Sequence, residues 1–332
     1  MHAPDGFLNA GTALATGVVS VGSVAGALRH SSATLSDKQI PLAGLSAAFL
    51  FAAQMVNFPV VAGTTGHLIG GALAAILLGP GVGVLVVSIV VVIQALAFAD
   101  GGITALGYNV LNLAIVPAYG GYGAFLLFRK VMPKSATGVV SATGLAAGTS
   151  VVLAAMAFSI EWLFGATAPI GFDAVFGAMV GVHLLIGIGE AAISAMVVLA
   201  ILRTRPDMVY GARDLKPSQL TDTGRISVRT FLVAGLIVTV FTAAIVSQFS
   251  ASEPDGLEAV AARVGIDSTG SARSPLFADY AIENIGNEAV SLAVAGLAGV
   301  AISLAVATGL AHSLRHARGK DKQSGSPPPE AD

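Results

Sequence analysis

Val82-Gly83-Val84-Leu85-Val86-Val87-Ser88-Ile89-Val90-Val91-Val92-Ile93-Gln94-Ala95-Leu96-Ala97-Phe98-Ala99 carries no charge over eighteen residues, and Ser88 and Gln94 are its only polar side chains. A helix on a soluble domain keeps a polar face. This run has none, and its length is close to the roughly 20 residues that cross a bilayer. Similar runs lie at 7–28, 40–62, 64–79, 104–128, 136–159 and 174–202, with two more at 230–249 and 289–312. The whole chain agrees with them. Of 332 residues 55% are hydrophobic and 11% charged, with mean hydropathy +0.81, whereas soluble domains carry roughly a quarter charged residues. The sequence therefore predicts an all-α, multi-pass membrane protein. Net charge −2 gives no footprint for nucleic acid. With Cys 0 there is no thiolate, so a bound metal must use nitrogen, oxygen or methionine sulfur.

Charge orients the spans. With nine spans and the N-terminus outside, the inner segments 29–39, 129–135 and 203–229 and the tail after 312 hold 15 of the 17 basic residues, as the positive-inside rule requires. Fusing 64–79 with 82–99 would put Arg129, Lys130 and Lys134 outside. The expected layout is a seven-span core at 1–207, a cytoplasmic linker at 208–228, a two-span unit at 229–314 and a disordered cytoplasmic tail at 315–332. The 250–288 loop is expected to be solvated on the outer side. Met1–Phe7 has no Lys or Arg, so it reads as a retained N-terminus and not as a signal peptide.

Polar side chains at membrane depth are costly and mark bundle interiors or sites. They concentrate in Gln54–His67 and Asn109–Asn112, and the first stretch runs into Gly63-Thr64-Thr65-Gly66-His67-Leu68-Ile69-Gly70-Gly71. His67 alone is as well explained by an interhelical hydrogen bond. Met1-His2 adds a different possibility. A free α-amine, the amide nitrogen of residue 2 and the His2 imidazole can chelate one metal in fused rings, and His67 is the candidate for a fourth nitrogen. Ni(II) and Cu(II) favour such planar nitrogen ligation. Methionine should be retained before the bulky His2, and Pro4-Asp5-Gly6 makes a turn that would fold the first residues over the bundle. Asp5 is a candidate to orient His2. His183 and Glu190, seven apart on one helical face, read either as a proton or metal pair on an exit path or as interhelical packing. Asn57, Thr65, Gln94, Asn109 and Asn112 read as supporting groups.

These motifs resemble the CbiM/NikM family, the substrate-binding membrane subunits of cobalt and nickel energy-coupling-factor (ECF) transporters. The resemblance rests on Met1-His2-Ala3-Pro4-Asp5-Gly6-Phe7-Leu8, Phe51–Pro59, Gly63–Gly71, Asp100–Asn109, His183–Glu190 and Arg205-Pro206-Asp207. Tyr108 stands where the family usually has a small residue. Ser252-Glu253-Pro254-Asp255-Gly256-Leu257-Glu258 and Ser274–Tyr280 resemble the PDGLE domain, a NikN/CbiN-like accessory unit often fused behind such subunits. The resemblance implies a square of nitrogens from Met1, His2 (amide and ring) and His67. It further implies no permanent cofactor, transported Ni2+ or Co2+, separate coupling and ATP-binding subunits, and a place in the plasma membrane of a prokaryote. The chain has no G-x-x-x-x-G-K-[ST] loop and is not expected to be an enzyme. The rival reading is a stand-alone, proton-coupled divalent-metal transporter using His183 and Glu190.

Overall fold

The computed structural model describes residues 1–60, 63–216, 219–220, 226–265, 276–283 and 285–324, with side chains as far as 316. Among the described residues seven helices are long and apolar enough to cross a membrane: α1 (Ala10–Thr34), α4 (Pro80–Phe98), α5 (Leu106–Val131), α6 (Ala136–Gly165), α7 (Phe172–Thr204), α8 (Val228–Phe249) and α10 (Glu288–Ser324). Between them lie α2 (Gln39–Gln54), α3 (Gly71–Leu78) and α9 (Gly256–Val264). Local chemistry sets several starts. The Asn9 side chain accepts from Thr12 N–H to cap α1, and Ser135 and Ser227 cap α6 and α8 in the same way.

The run at 64–79, expected to be one helical span, is not one. After α2 the chain forms a short antiparallel pair, Phe58–Pro59 with Thr65–Gly66. It then stays irregular to Gly70 and becomes helical only over the 8 residues of α3, about 12 Å of helix. Four glycines lie between 63 and 71, each costly inside a helix, and Gly70 has φ +76°. Irregular backbone inside a bilayer survives only where protein satisfies its polar groups. Glu190, on α7, accepts from Ile69 N–H at 2.7 Å and Gly70 N–H at 2.8 Å, and the Gln54 amide donates to Ile69 C=O at 2.9 Å. The Gln39 side chain, at the start of α2, donates to Leu78 C=O at 3.1 Å. The loop and α3 together therefore retrace the length of α2.

The two-span unit is part of the bundle: α8 and α10 pack on α2, and α10 also packs on α4. This explains why α2 is buried on nearly every face. The linker after α7 is partly folded, with Met208, Val209, Ala212 and Leu215 buried, Arg205 bidentate on Asp207 at 2.8 and 2.7 Å, and the Arg213 guanidinium 3.3 Å from the Tyr210 ring centre. The tail expected to lack structure from 315 instead continues α10 to Ser324. The rest of it, and Arg225, Arg273 and Ser274–Pro275, lie outside the described residues.

Glu190→Leu strands two buried N–H groups at about 1–3 kcal/mol each and should lower the melting temperature in detergent well below that of the wild type. Glu190→Gln, which keeps one accepting oxygen, should fall between. Equal melting of all three would refute this role for Glu190.

Candidate metal site

The first nine residues fold inward over the end of the bundle where α1 begins and α4 ends. Met1 is 5% exposed and His2 9%. Asn109, on α5, holds this segment as a strand partner would: Ala3 N–H donates to Asn109 Oδ1 at 2.9 Å, and the Asn109 amide donates back to Ala3 C=O at 2.9 Å. Gly102 N–H donates to the same carbonyl at 3.0 Å. Tyr108, buried, donates its hydroxyl proton to Pro4 C=O at 3.2 Å, so the side chain that departs from the family pattern also holds the segment. Further along, Asn9 N–H donates to Gly165 C=O at 2.8 Å and Thr167 Oγ1 to Phe7 C=O at 2.9 Å.

Three nitrogen groups meet where this segment begins. The Met1 amine lies 2.8 Å from His67 Nε2, and the His2 and His67 rings stack with centroids 5.3 Å apart. His67 Nδ1 is 3.2 Å from Leu68 C=O; donation there leaves Nε2 with its lone pair toward the amine. His2 Nε2 lies 3.0 Å from Gln94 Oε1, and Nδ1 lies 3.1 Å from Asp100 Oδ1. Gln94 opens a π-helical turn, Gln94–Phe98, at the end of α4, the kind of helix irregularity often found at functional sites. Burial pushes His2 down to about 4 against the opposing charge of Asp100, so its imidazole is neutral at pH 7.

Two acidic residues complete the surroundings, and neither was a candidate ligand or orienting group in the sequence. Asp100 follows the π-helical turn. Asp255 comes from the loop between α8 and α10, expected to be solvated; its side chain is 13% exposed and forms an ion pair with the Met1 amine, with Oδ2 3.7 Å from His67 Nε2. Burial would push the Asp255 carboxyl up, but the amino-terminal charge and His67 hold it well below the ordinary carboxylate range. The only sequence signal for either was an acidic residue next to glycine in a motif.

Other candidates separate. Asp5 does not orient His2 as expected: its Oδ1 accepts from Thr104 N–H and Oγ1, both at 2.6 Å, while Gln94 and Asp100 face the His2 ring. Asn57 pairs through its backbone with Ser250 and Ala251, and Thr65 donates to Glu253 and Pro254 carbonyls; both lie against the α8–α10 loop. His183, buried beside Met1 and His67 at a small cavity, has Nδ1 2.7 Å from Met179 C=O. Glu190 is engaged with Ile69 and Gly70, so the two do not form a pair. Asn112 donates to Glu161 at 2.6 Å. Among the described residues no three His, Asp or Glu side chains cluster as a metal site; backbone nitrogens have to enter any such set here.

Known proteins match along the whole chain. The family described as "Cobalt uptake substrate-specific transmembrane region" matches residues 2–208, and the PDGLE domain matches 229–316. A "Putative fused nickel transport protein NikMN" of Archaeoglobus fulgidus is 35% identical over 96% of this chain and 100% of its own. A "Putative metal transport protein" of Haloquadratum walsbyi is 41% identical over 63% of this chain and 94% of its own. A crystal structure of a transition metal transporter, 32% identical, superposes with TM-score 0.55 over 60% of this chain and 92% of the other.

A Cβ at position 102 would lie 2.3 Å from Asp5 N, so Gly102→Ala should push the first residues out and leave the helices intact. Amine-reactive labelling of Met1, read by mass spectrometry, should be faster in this variant, with unchanged helical circular dichroism. Equal protection of the amine would contradict the packing described.

Proposed function

The chain belongs to the cobalt uptake substrate-specific transmembrane family, and from that premise we propose that it is the substrate-specificity subunit of an ECF-type importer, taking Ni2+ or Co2+ through four nitrogens at its buried N-terminus. That it is a multi-pass membrane component for transition-metal transport, in a prokaryotic plasma membrane, follows from the family. The finer reading rests on one observation above others: the amine lies 2.8 Å from His67 Nε2. Nitrogens about 2.0 Å from a metal at adjacent corners of a square are about 2.8 Å apart, so the separation of this hydrogen-bonded pair supports its serving as one edge of such a cage.

The tautomers suit the rest of it. A histidine ligand usually passes its other ring proton to an acceptor. His67 does so to Leu68 C=O through Nδ1, which frees Nε2. For His2, a fused chelate with the amine and the amide requires Nδ1 to leave Asp100 Oδ1, 3.1 Å away, and turn its lone pair to the metal while Nε2 donates to Gln94. Coordination through a deprotonated amide favours Ni(II) over Co(II). Energy would come from separate ATP-binding chains joined through a coupling membrane subunit, because the sequence holds no phosphate-binding loop. Asn109, Tyr108 and Gly102 would serve by holding residues 3–5 so that the amine stays inside.

One residue added before Met1 moves the amine while sparing every side chain. Calorimetric titration of the purified chain should give one bound metal. The extended chain should lose affinity by more than the roughly 10–100-fold that removal of a supporting partner costs. Equal binding would overturn the four-nitrogen site. Purified chain in vesicles should give no metal uptake under a pH gradient alone; uptake would favour the stand-alone, proton-coupled reading.

A further inference from the structure

The loop between α8 and α10 reaches the amine and His67 directly and the His2 ring through one residue. Asp255 bonds the amine and faces His67. Tyr280, on the far limb of the same loop, donates its hydroxyl proton to Asp100 Oδ2 at 2.6 Å and lies 3.3 Å from the Gln94 amide nitrogen; these are the two residues that face the His2 ring nitrogens. The near limb is pinned to the His67 loop. Thr65 N–H donates to Pro254 C=O at 2.9 Å, Thr65 Oγ1 to Glu253 C=O at 2.9 Å, and Arg263 to Thr64 Oγ1 at 3.2 Å. A Cβ at Gly256 would sit 2.6 Å from Ile186 and 3.0 Å from His183, so residue 256 seats flush on α7.

Resting on the four-nitrogen reading, we infer that Asp255 is a carboxylate latch. Seated, it occupies the open side of the amine–His67 pair, and the 253–256 limb must lift before a divalent cation can enter. The amine and His67 Nε2 present to Asp255 and to each other the same atoms that a metal would take, and an oxygen bonded to the amine and 3.7 Å from Nε2 lies in the approach to both. Among the described residues the Tyr280 limb, 276–283, makes no hydrogen bond to the amine, and it keeps the His2 side of the site in place while the other limb moves. Seating of the limb and binding of the metal are then alternatives, and each opposes the other by the same factor.

Two experiments decide this, both with Ni2+ and the full chain. Asp255→Asn should bind Ni2+ more tightly than wild type, by about tenfold, while Tyr280→Phe, which loosens the other limb only, should not tighten it. Unchanged or weaker binding by Asp255→Asn would overturn the latch, weaker binding making Asp255 a helper or ligand. Equal tightening by Tyr280→Phe would overturn it also, since general loosening would then suffice. The chain has no cysteine, so Thr65→Cys with Glu253→Cys gives a single engineered disulfide across the limb. Oxidised, it should lose Ni2+ loading; reduction should restore it. Loading in the oxidised state equal to that in the reduced state would contradict the need to lift. Failure of the site itself would appear elsewhere, as wild-type binding that survives an added N-terminal residue.

Discussion

An amino group carried to the inside of a helix bundle must be met there by acceptors, because the water it leaves behind is worth several kcal/mol. In this chain His67 Nε2 and Asp255 meet it, and the rest of the architecture follows from bringing those two groups to one place. His67 comes from a loop that enters the bundle between α2 and α3, Asp255 from a domain nearly 190 residues further on, and the amine itself from a segment held by Asn109, Tyr108 and the glycines after Asp100. Each element is ordinary by itself. Their convergence is what gives the amine a defined position and removes it from solvent.

The cost of placing His67 is an interrupted crossing. Backbone from Gly66 to Gly70 forms no helix, and α7 compensates with one carboxylate that takes two N–H groups at once. Glu190 thus serves the loop as the acceptor for two backbone N–H groups, which gives a buried acid in an otherwise apolar helix a structural role. The same economy appears at the other face, where Gln94 and Asp100 at the end of α4 fix the His2 ring and are in turn engaged by Tyr280. The C-terminal unit therefore contributes side chains, Asp255 and Tyr280, to the surroundings of the buried amine and the His2 ring.

Much of this was legible in the sequence because the signals are local. Uncharged runs such as 82–99 mark membrane helices, and Met1-His2 with His67 marks a nitrogen-rich site. The 64–79 run misled because hydropathy counts Gly70 as compatible with a span, while its left-handed backbone, φ +76°, keeps the helix from starting before Gly71. Asp5 was the nearer acid to His2 in sequence, yet a turn directs it to Thr104, and Asp100 and Gln94 arrive from a distant helix. Asp255 sits in a charged, glycine-bearing loop that any local reading assigns to solvent. Only the packing of α8 and α10 on α2 and α4, a tertiary fact, brings that loop over the amine.

X-ray absorption at the nickel edge of the loaded, purified chain bears most directly on the central idea, that the first atom of the polypeptide is a ligand. Four nitrogen neighbours in a plane, with the diamagnetism of square-planar Ni(II), are the expected result. A paramagnetic, six-coordinate ion surrounded mainly by oxygen would contradict it.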